Sequence, residues 1–304
     1  MTRHPLYGLA LAGFGALILT PDTLFMRWSG MDGFQMLAWR GLLMGAVLIT
    51  LWLFGGAQGR RALRSRAGIA IILCHALNAT LFSLGIAMAP VPVVLFGVAT
   101  VPVFAALFAR LVGGEATGRA TWIATAAVLA GIAIAVFGSE SGDITLDRAS
   151  VLGAVAGLGV AAMLALSFVI IRHARAVPIM PAIGSGAMLA GLAGLALSGG
   201  PVAAAAGNIA AIAVSGLVIL PASFLALTQA SRHTAAANVS LLLLLETVLG
   251  PVWVYAFAGE PLTAPMILGG AVVVASLALY ITFGSGRPAF ARASRRTPRP
   301  PHAP

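Results

Sequence analysis

Runs of about 20 apolar residues recur along nearly the whole chain, separated by short polar or Gly- and Pro-containing breaks. Only 9% of the 304 residues are charged, whereas a soluble domain carries about 25%. Because charge is scarce from one end of the sequence to the other, a single anchor helix cannot explain the composition. We therefore expect lipid to be the solvent for most of the surface, as in a polytopic membrane protein.

The apolar runs predict ten transmembrane helices, since each run can cross the hydrocarbon core of a bilayer. The predicted spans are about 6–26, 34–54, 68–88, 92–111, 120–138, 149–171, 178–198, 209–229, 235–257 and 264–283. The first run predicts a retained helix rather than a signal peptide, because no small-residue cleavage site ends it. The last residues, 284–304, are rich in Pro and Arg, and we expect them to form a disordered basic tail.

The distribution of arginine predicts the orientation. All 18 basic residues are Arg, a bias that favours a GC-rich bacterial source. With both termini in the cytoplasm, only Arg27, Arg40 and Arg148 fall on the outer side, and the other fifteen fall on the inner side, as the positive-inside rule requires. We therefore expect a multi-pass protein of the bacterial inner membrane with both termini cytoplasmic. A nucleic-acid partner is not expected, because the arginines lie in short loops and a tail.

A shift of about 145 residues brings landmarks of the two halves together. Gly8 falls on Gly153, Arg27 falls on Arg172, and LVGGEATG falls on YAFAGEPLT. Five helices in each half is an odd number, so the second half must enter the membrane from the opposite side. The sequence thus predicts two inverted repeats, 1–138 and 149–283, a plan that secondary transporters use. Chance similarity between apolar segments is the alternative interpretation.

Three segments carry a resemblance to a known family. They are FQMLAWRGLLMGAVL, VPVFAALFARLVGGEATG and LLLLLETVLGPVWVYAFAGEPLTAPMILGGAVVVASL. In their order and spacing the chain resembles the ten-helix EamA-type members of the drug/metabolite transporter superfamily. The resemblance implies a bundle around a central cavity, alternating access, and export of amino acids or other small metabolites. Metabolite uptake and drug efflux by the same fold remain alternatives.

Glu246 is the most informative single residue. It lies near the middle of the ninth span, where a charged side chain costs about 2.5–3.5 kcal/mol on insertion scales. We expect it to face the cavity and to respond to protons or bind a substrate amine. Trp253, seven residues on, lies on the same helical face and is expected beside it. A structural hydrogen bond to a neighbouring helix is the alternative role for Glu246.

Other polar residues within the spans are further candidates for the solute pathway. His75, Asn78 and Phe82 share one helical face and suit a cavity wall, although interhelical hydrogen bonds are the alternative. Arg40 could neutralise Glu246 or Asp22, bind a substrate carboxylate, or snorkel to the outer headgroups. Asp22 itself is expected near the outer interface, in contact with water.

Prolines inside or beside the helices are candidate hinges, because a membrane helix tolerates such breaks where neighbours or a cavity satisfy the freed carbonyls. These candidates are Pro92, Pro102, Pro221 and Pro251.

An enzyme is not expected. A Ser–His pair of Ser185 with His75 or His233 is conceivable, but the sequence around it resembles no known nucleophile setting. There are no paired carboxylates or His clusters for a metal, and the single Cys74 cannot form an internal disulfide. We therefore expect no cofactor and no metal. The predicted partners are a small-molecule substrate, the lipid bilayer and protons as a coupling ion. A channel is disfavoured because no filter-like loop is present.

Overall fold

A computed structural model of the chain describes residues 5–89, 91–114, 117–137, 148–200, 206–258 and 264–280. Within these ranges the chain consists of helices joined by short connections, without a strand, which confirms the predicted all-helical class. The two repeat landmarks Glu115 and Glu260 and the predicted tail 284–304 lie outside the described residues.

The helices match the ten predicted spans, each span coinciding with one helix or with consecutive helices. They are α1 (Pro5–Leu19), α2 (Asp22–Ser29), α3 (Gly33–Phe54), α4 (Arg60–Leu63), α5 (Arg66–Met88), α6 (Val91–Val98), α7 (Val101–Gly113), α8 (Arg119–Phe137), α9 (Arg148–His173), α10 (Ile179–Leu197), α11 (Ile209–Val214), α12 (Leu220–Ser231), α13 (Ala236–Leu243), α14 (Leu245–Ala258) and α15 (Ala264–Leu279). A π-helical turn, Ser215–Ile219, joins α11 to α12.

Within the described residues, seven helical stretches are long and apolar enough to cross a membrane. They are Leu6–Ser29, Gly33–Phe54, Arg66–Met88, Val151–His173, Ile179–Leu197, Ile209–Ser231 and Ala236–Phe257. Shorter apolar helices cover Val101–Val112 and Ile267–Ser276. A chain with this many apolar helices is a multi-pass membrane protein.

Three of the predicted spans are interrupted. The first breaks between α1 and α2, where Pro21 has no N–H to donate and the Thr20 hydroxyl donates to the Leu17 carbonyl at 2.9 Å. The fourth breaks between α6 and α7, and the ninth breaks at Leu244, between α13 and α14. Each break ends the backbone hydrogen-bond ladder of a helix in the interior of its span.

The two ends of the bundle differ in charge. Contacts of Gly59 with Pro178, of Arg172 with Thr234 and of Gly8 with His233 bring one set of loops together. We call this the arginine end, because it carries nine of the described arginines: Arg60, Arg61, Arg64, Arg66, Arg110, Arg119, Arg172, Arg175 and Arg232. At the opposite end, Asp32 begins α3 with a capping box, accepting from the backbone N–H groups of Phe34 and Gln35 at 2.8 and 2.9 Å.

The helix contacts repeat between the two halves of the chain. If each predicted span is exchanged with the span five positions away, the same pairs of spans are in contact. The second span packs on the seventh (α3 on α10), and the fifth packs on the tenth (α8 on α15). Likewise α1 packs on α12, as α5 packs on α9. Gly8 lies against the loop that precedes the ninth span, and Gly153 lies against Ala89, which precedes the fourth. These paired contacts have the form that a twofold repeat produces.

The contact between α3 and α10 is closest at two glycines. A Cβ atom on Gly41 would lie 2.6 Å from the Ala187 carbonyl oxygen and 2.6 Å from the Cα of Gly191. Because both of these atoms belong to the backbone, no side-chain rotation could relieve the overlap. Small residues at this crossing therefore let the two helix backbones touch, as is common in membranes.

We expect Gly41→Ala to separate α3 from α10 and to destabilise the protein by about 1–3 kcal/mol, the usual cost of overpacking. Gly13→Ala is the matched control, because a Cβ there meets no atom within 4 Å. Melting temperatures of the purified, detergent-solubilised variants measure the effect. An unchanged melting temperature for Gly41→Ala would contradict this close packing.

Candidate functional site

A cavity lies at the centre of the bundle, with walls from the first, second, third, fourth, sixth, seventh, eighth and ninth predicted spans. Its volume is about 70 Å³, enough to hold several water molecules. Most of its lining is aliphatic or aromatic, and the polar lining residues are Asp22, Arg40, His75, Asn78, Ser83 and Glu246. Such a site has an apolar body and a few polar groups to orient a solute.

An ion pair between Asp22 and Arg40 lies on the cavity wall. The Arg40 Nη2 is 2.6 Å from the Asp22 Oδ2, and the two side chains are only 9% and 1% exposed. The Ser215 hydroxyl donates to the other carboxylate oxygen of Asp22 at 2.5 Å. This network joins the start of α2, the middle of α3 and the π-helical turn.

The Arg40 guanidinium has two further neighbours. Its Nη1 contacts the Met26 sulfur, and its central carbon lies 5.6 Å from the centroid of the Phe82 ring. An aromatic face attracts a cation, so the guanidinium is held from several directions. Of the predicted roles for Arg40, the structure shows the pair with Asp22, and the expectation that Asp22 would sit in interfacial water is wrong. The break between α1 and α2 turns the carboxylate inward.

Glu246 lies in the first turn of α14, immediately after the break at Leu244. It lines the cavity and is partly exposed there. The charges of Asp22 and Arg40 act on it, but within the described chain it makes no hydrogen bond or ion pair of its own. The positive end of the α14 dipole favours a negative charge at this position. Among the described residues, Glu246 is thus a carboxyl group without a counter-ion in direct contact.

Trp253 is on the predicted face of α14 but does not line the cavity. Its indole Nε1 donates to the Thr20 hydroxyl at 2.8 Å, and its ring stacks on Phe257 with centroids 5.8 Å apart. Trp253 lies seven residues after Glu246, about 10 Å along the helix axis, so the indole lies beyond the cavity. Trp253 therefore ties α14 to the break between α1 and α2.

His75, Asn78 and Phe82 all line the cavity, as their shared helical face predicts. His75 and Asn78 are 4% and 8% exposed. The His75 Nε2 is hydrogen-bonded to the Ser167 hydroxyl at 2.9 Å, and its ring lies edge-on to Phe224, with centroids 5.7 Å apart. The hydrogen bond joins α5 to α9, so His75 contributes both to the wall and to helix packing.

Four residues of the site had no signal in the sequence: Thr20, Met26, Ser167 and Ser215. Each is a small or apolar side chain within an apolar run, and its role depends on a partner distant in the sequence. Thr23 is a further case, since its buried hydroxyl has no hydrogen-bond partner among the described residues and lies against Gly250.

The candidate hinge prolines lie at different kinds of positions. Pro102 is at the start of α7, directly after the break in the fourth span, and Pro221 directly follows the π-helical turn. Pro92 lies in the first turn of α6, and Pro251 lies within α14, seven residues after the break at Leu244. The break nearest Glu246 therefore has no proline.

The described residues contain no group of three or more His, Cys, Asp or Glu side chains arranged to hold a metal. Nor is Ser185 among the residues that line the cavity with His75.

Comparison with known proteins identifies the family of the first half. Residues 6–137 match the model of the EamA-like transporter family. No curated protein matches the chain in sequence. A solved structure described only as "Crystal structure of protein" aligns with a TM-score of 0.74 over 92% of this chain and 97% of that one, at 17% sequence identity. At that identity the likeness shows a shared fold alone.

The matched family is one of transporters. Over residues 6–137, less than half of its length, the chain is therefore similar to the EamA-like transporter family.

Proposed function

We propose that the chain exports amino acids or related small metabolites by alternating access to the central cavity. The observation that carries this proposal is the carboxyl group of Glu246, which faces a mostly apolar cavity without a partner in the described chain. The neighbouring Asp22 and Arg40 neutralise each other. A positively charged group of the solute, or a proton, is then the natural counter-ion of Glu246.

The walls of the cavity support a solute with an apolar part. Phe82, Phe168 and Phe224 and many aliphatic side chains line it, whereas Asn78 and His75 offer hydrogen bonds. An amino acid combines an ammonium group with a side chain that is often apolar. Its carboxylate would compete with Asp22 for Arg40, whose guanidinium prefers such bidentate partners. Opening of the Asp22–Arg40 pair by the solute would couple binding to movement of α2 against α3.

The proposed architecture is ten transmembrane helices in two inverted repeats, 1–138 and 149–283. The twofold pattern of helix contacts and the equivalent positions of Gly8 and Gly153 support it. The fourth and ninth spans occupy equivalent places in the two repeats, and both are broken. Together with Pro102, Pro221, Pro92 and Pro251, these breaks supply the flexible points for a rocking motion.

The proposed location is the bacterial inner membrane, with the arginine end and both termini in the cytoplasm. The nine described arginines at that end support this orientation through the positive-inside rule. Uptake of a metabolite or efflux of a drug-like compound is the second candidate. The largely apolar cavity wall favours it, because such a wall also accepts hydrophobic solutes.

Cysteine labelling tests the orientation. In a Cys74→Ala background, Arg61→Cys and Ala303→Cys should resist a membrane-impermeant maleimide in intact cells and react after lysis. Ser198→Cys, at the opposite end of the bundle, should react in intact cells. Labelling of positions 61 and 303 from different sides would contradict an even number of membrane crossings between these two positions.

A Glu246→Gln variant tests the role of the carboxyl. We expect its counterflow of radiolabelled apolar amino acids in proteoliposomes to fall about ten- to a hundredfold, the range for losing a charge-assisted hydrogen bond of 1.5–3 kcal/mol. The pH dependence of the remaining flux should flatten. Asp32→Asn is the matched control, since it removes one carboxylate outside the cavity and keeps a helix-capping side chain.

Two results would overturn the proposal. Normal flux and unaltered pH dependence in Glu246→Gln would show that the carboxyl is only structural. Absence of saturable, counter-solute-stimulated flux of any amino acid in the unmodified protein would remove amino acids as the solute class.

A further inference from the structure

Two loops at the arginine end are held together by arginine side chains that reach across from one loop to the other. The loop 174–178 joins α9 to α10, and the loop 232–235 joins α12 to α13. The Arg175 Nη2 donates to the carbonyl oxygen of Arg232 at 3.1 Å, and the Arg232 Nη2 donates to the carbonyl oxygen of Val177 at 2.5 Å. Arg172, at the end of α9, donates to the Thr234 carbonyl.

These bonds fix two positive charges next to each other. The pKa of Arg232 is lowered from its ordinary value, first because the side chain is partly buried and second because of the positive charge of Arg175. The Nε of Arg232 is buried and has no hydrogen-bond acceptor among the described residues. The backbone carbonyls that hold the guanidinium groups accept hydrogen bonds but carry no full charge to neutralise them.

No described acidic residue lies near this pair. Of the acidic residues that the structure describes, Asp22 and Glu246 line the cavity, and Asp32 begins α3 at the opposite end of the bundle. Two like charges held together without a counter-ion repel each other, and a bound anion would relieve that repulsion. A guanidinium also has several N–H donors in a planar fork that suits a phosphate.

We propose that Arg175 and Arg232 form a binding site for the phosphate of an anionic phospholipid headgroup. The site lies where a membrane span ends, because Arg232 follows the stretch Ile209–Ser231 and Arg175 lies between Val151–His173 and Ile179–Leu197. Lipid headgroups occupy this level, and an anionic lipid surface attracts basic residues close to it.

The surroundings favour a lipid over a free phosphate ion. Tyr7 packs edge-on against the His233 ring, with centroids 5.2 Å apart, and remains 37% exposed. Leu6 beside it is 54% exposed. An aromatic ring with an adjacent exposed aliphatic side chain suits the boundary between headgroups and acyl chains. A free ion would use the guanidinium groups but not this apolar surface.

Native mass spectrometry of the full-length protein in detergent tests the site, with dioctanoyl phosphatidylglycerol as the probe. Arg175→Gln should weaken its binding at least fivefold, about 1 kcal/mol, because it removes the charge-assisted hydrogen bonds of the guanidinium to the phosphate. Arg61→Gln is the matched control, since it removes the same charge from an exposed position at the same end, and it should change the affinity less than twofold. Arg175→Lys, which keeps the charge and loses the fork, should give an intermediate affinity.

Further measurements distinguish a bound lipid from a free phosphate ion, and a binding site from hydrogen bonds that only hold the two loops together. Dioctanoyl phosphatidylcholine should bind at least fivefold more weakly than phosphatidylglycerol, and inorganic phosphate should not compete at equal concentration. Equal weakening by Arg175→Gln and Arg61→Gln would overturn the proposal in favour of a diffuse basic surface. Inorganic phosphate binding as tightly as the lipid would overturn the lipid as the ligand. If the hydrogen bonds of Arg175 and Arg232 only hold the two loops together, lipid binding will be unchanged in every variant. That result would also overturn the proposal.

Discussion

The structure depends on how two carboxyl groups and one guanidinium group are accommodated inside an apolar bundle. Hydrocarbon solvates neither a carboxylate nor a guanidinium, so each must find a partner or an aqueous space. Asp22 and Arg40 satisfy this requirement together, with Ser215 and the Phe82 ring completing their surroundings. Glu246 has no such partner in the described chain and lies instead at the edge of the cavity.

The breaks in the helices provide the means of building such a site. A continuous membrane helix satisfies all its own backbone groups and has no polar backbone to offer, whereas a broken helix leaves N–H and C=O groups free at the break. Asp22 and Glu246 both lie in the first turn of the helix that follows a break, where the free N–H groups and the helix dipole favour a negative charge. The hydrogen bond from Trp253 to Thr20 joins the two broken spans to each other. A change in the charge at the cavity would therefore affect the breaks in the first and ninth spans together.

Much of this could be predicted from the sequence, because a membrane restricts the possibilities so strongly. The spans follow from hydrophobicity alone, and a polar residue in the middle of a span must face inward. That rule is sufficient for Glu246, His75 and Asn78, which all line the cavity. The depth of a side chain along a helix is harder to predict, as Asp22 and Trp253 show. The break between α1 and α2 turns Asp22 into the interior, and the rise along α14 carries Trp253 past the cavity.

Apart from the Asp22–Arg40 pair, roles that require a partner from another helix could not be predicted. Ser215 and Ser167 resemble any small residue in an apolar run until the helices are packed, and then each completes a hydrogen bond with a cavity residue. The reciprocal bonds of Arg175 and Arg232 are of the same kind, since sequence places both arginines in loops but not beside each other. Pairing across the bundle is a property of the fold rather than of any local pattern.

We infer that position 246 faces an aqueous cavity and not the lipid. The direct test is Glu246→Cys in a Cys74→Ala background, treated in membranes with a charged, water-soluble methanethiosulfonate. We expect the reagent to modify the cysteine and a transported solute to slow the modification. A cysteine that reacts only with a hydrophobic maleimide dissolved in the bilayer would contradict it.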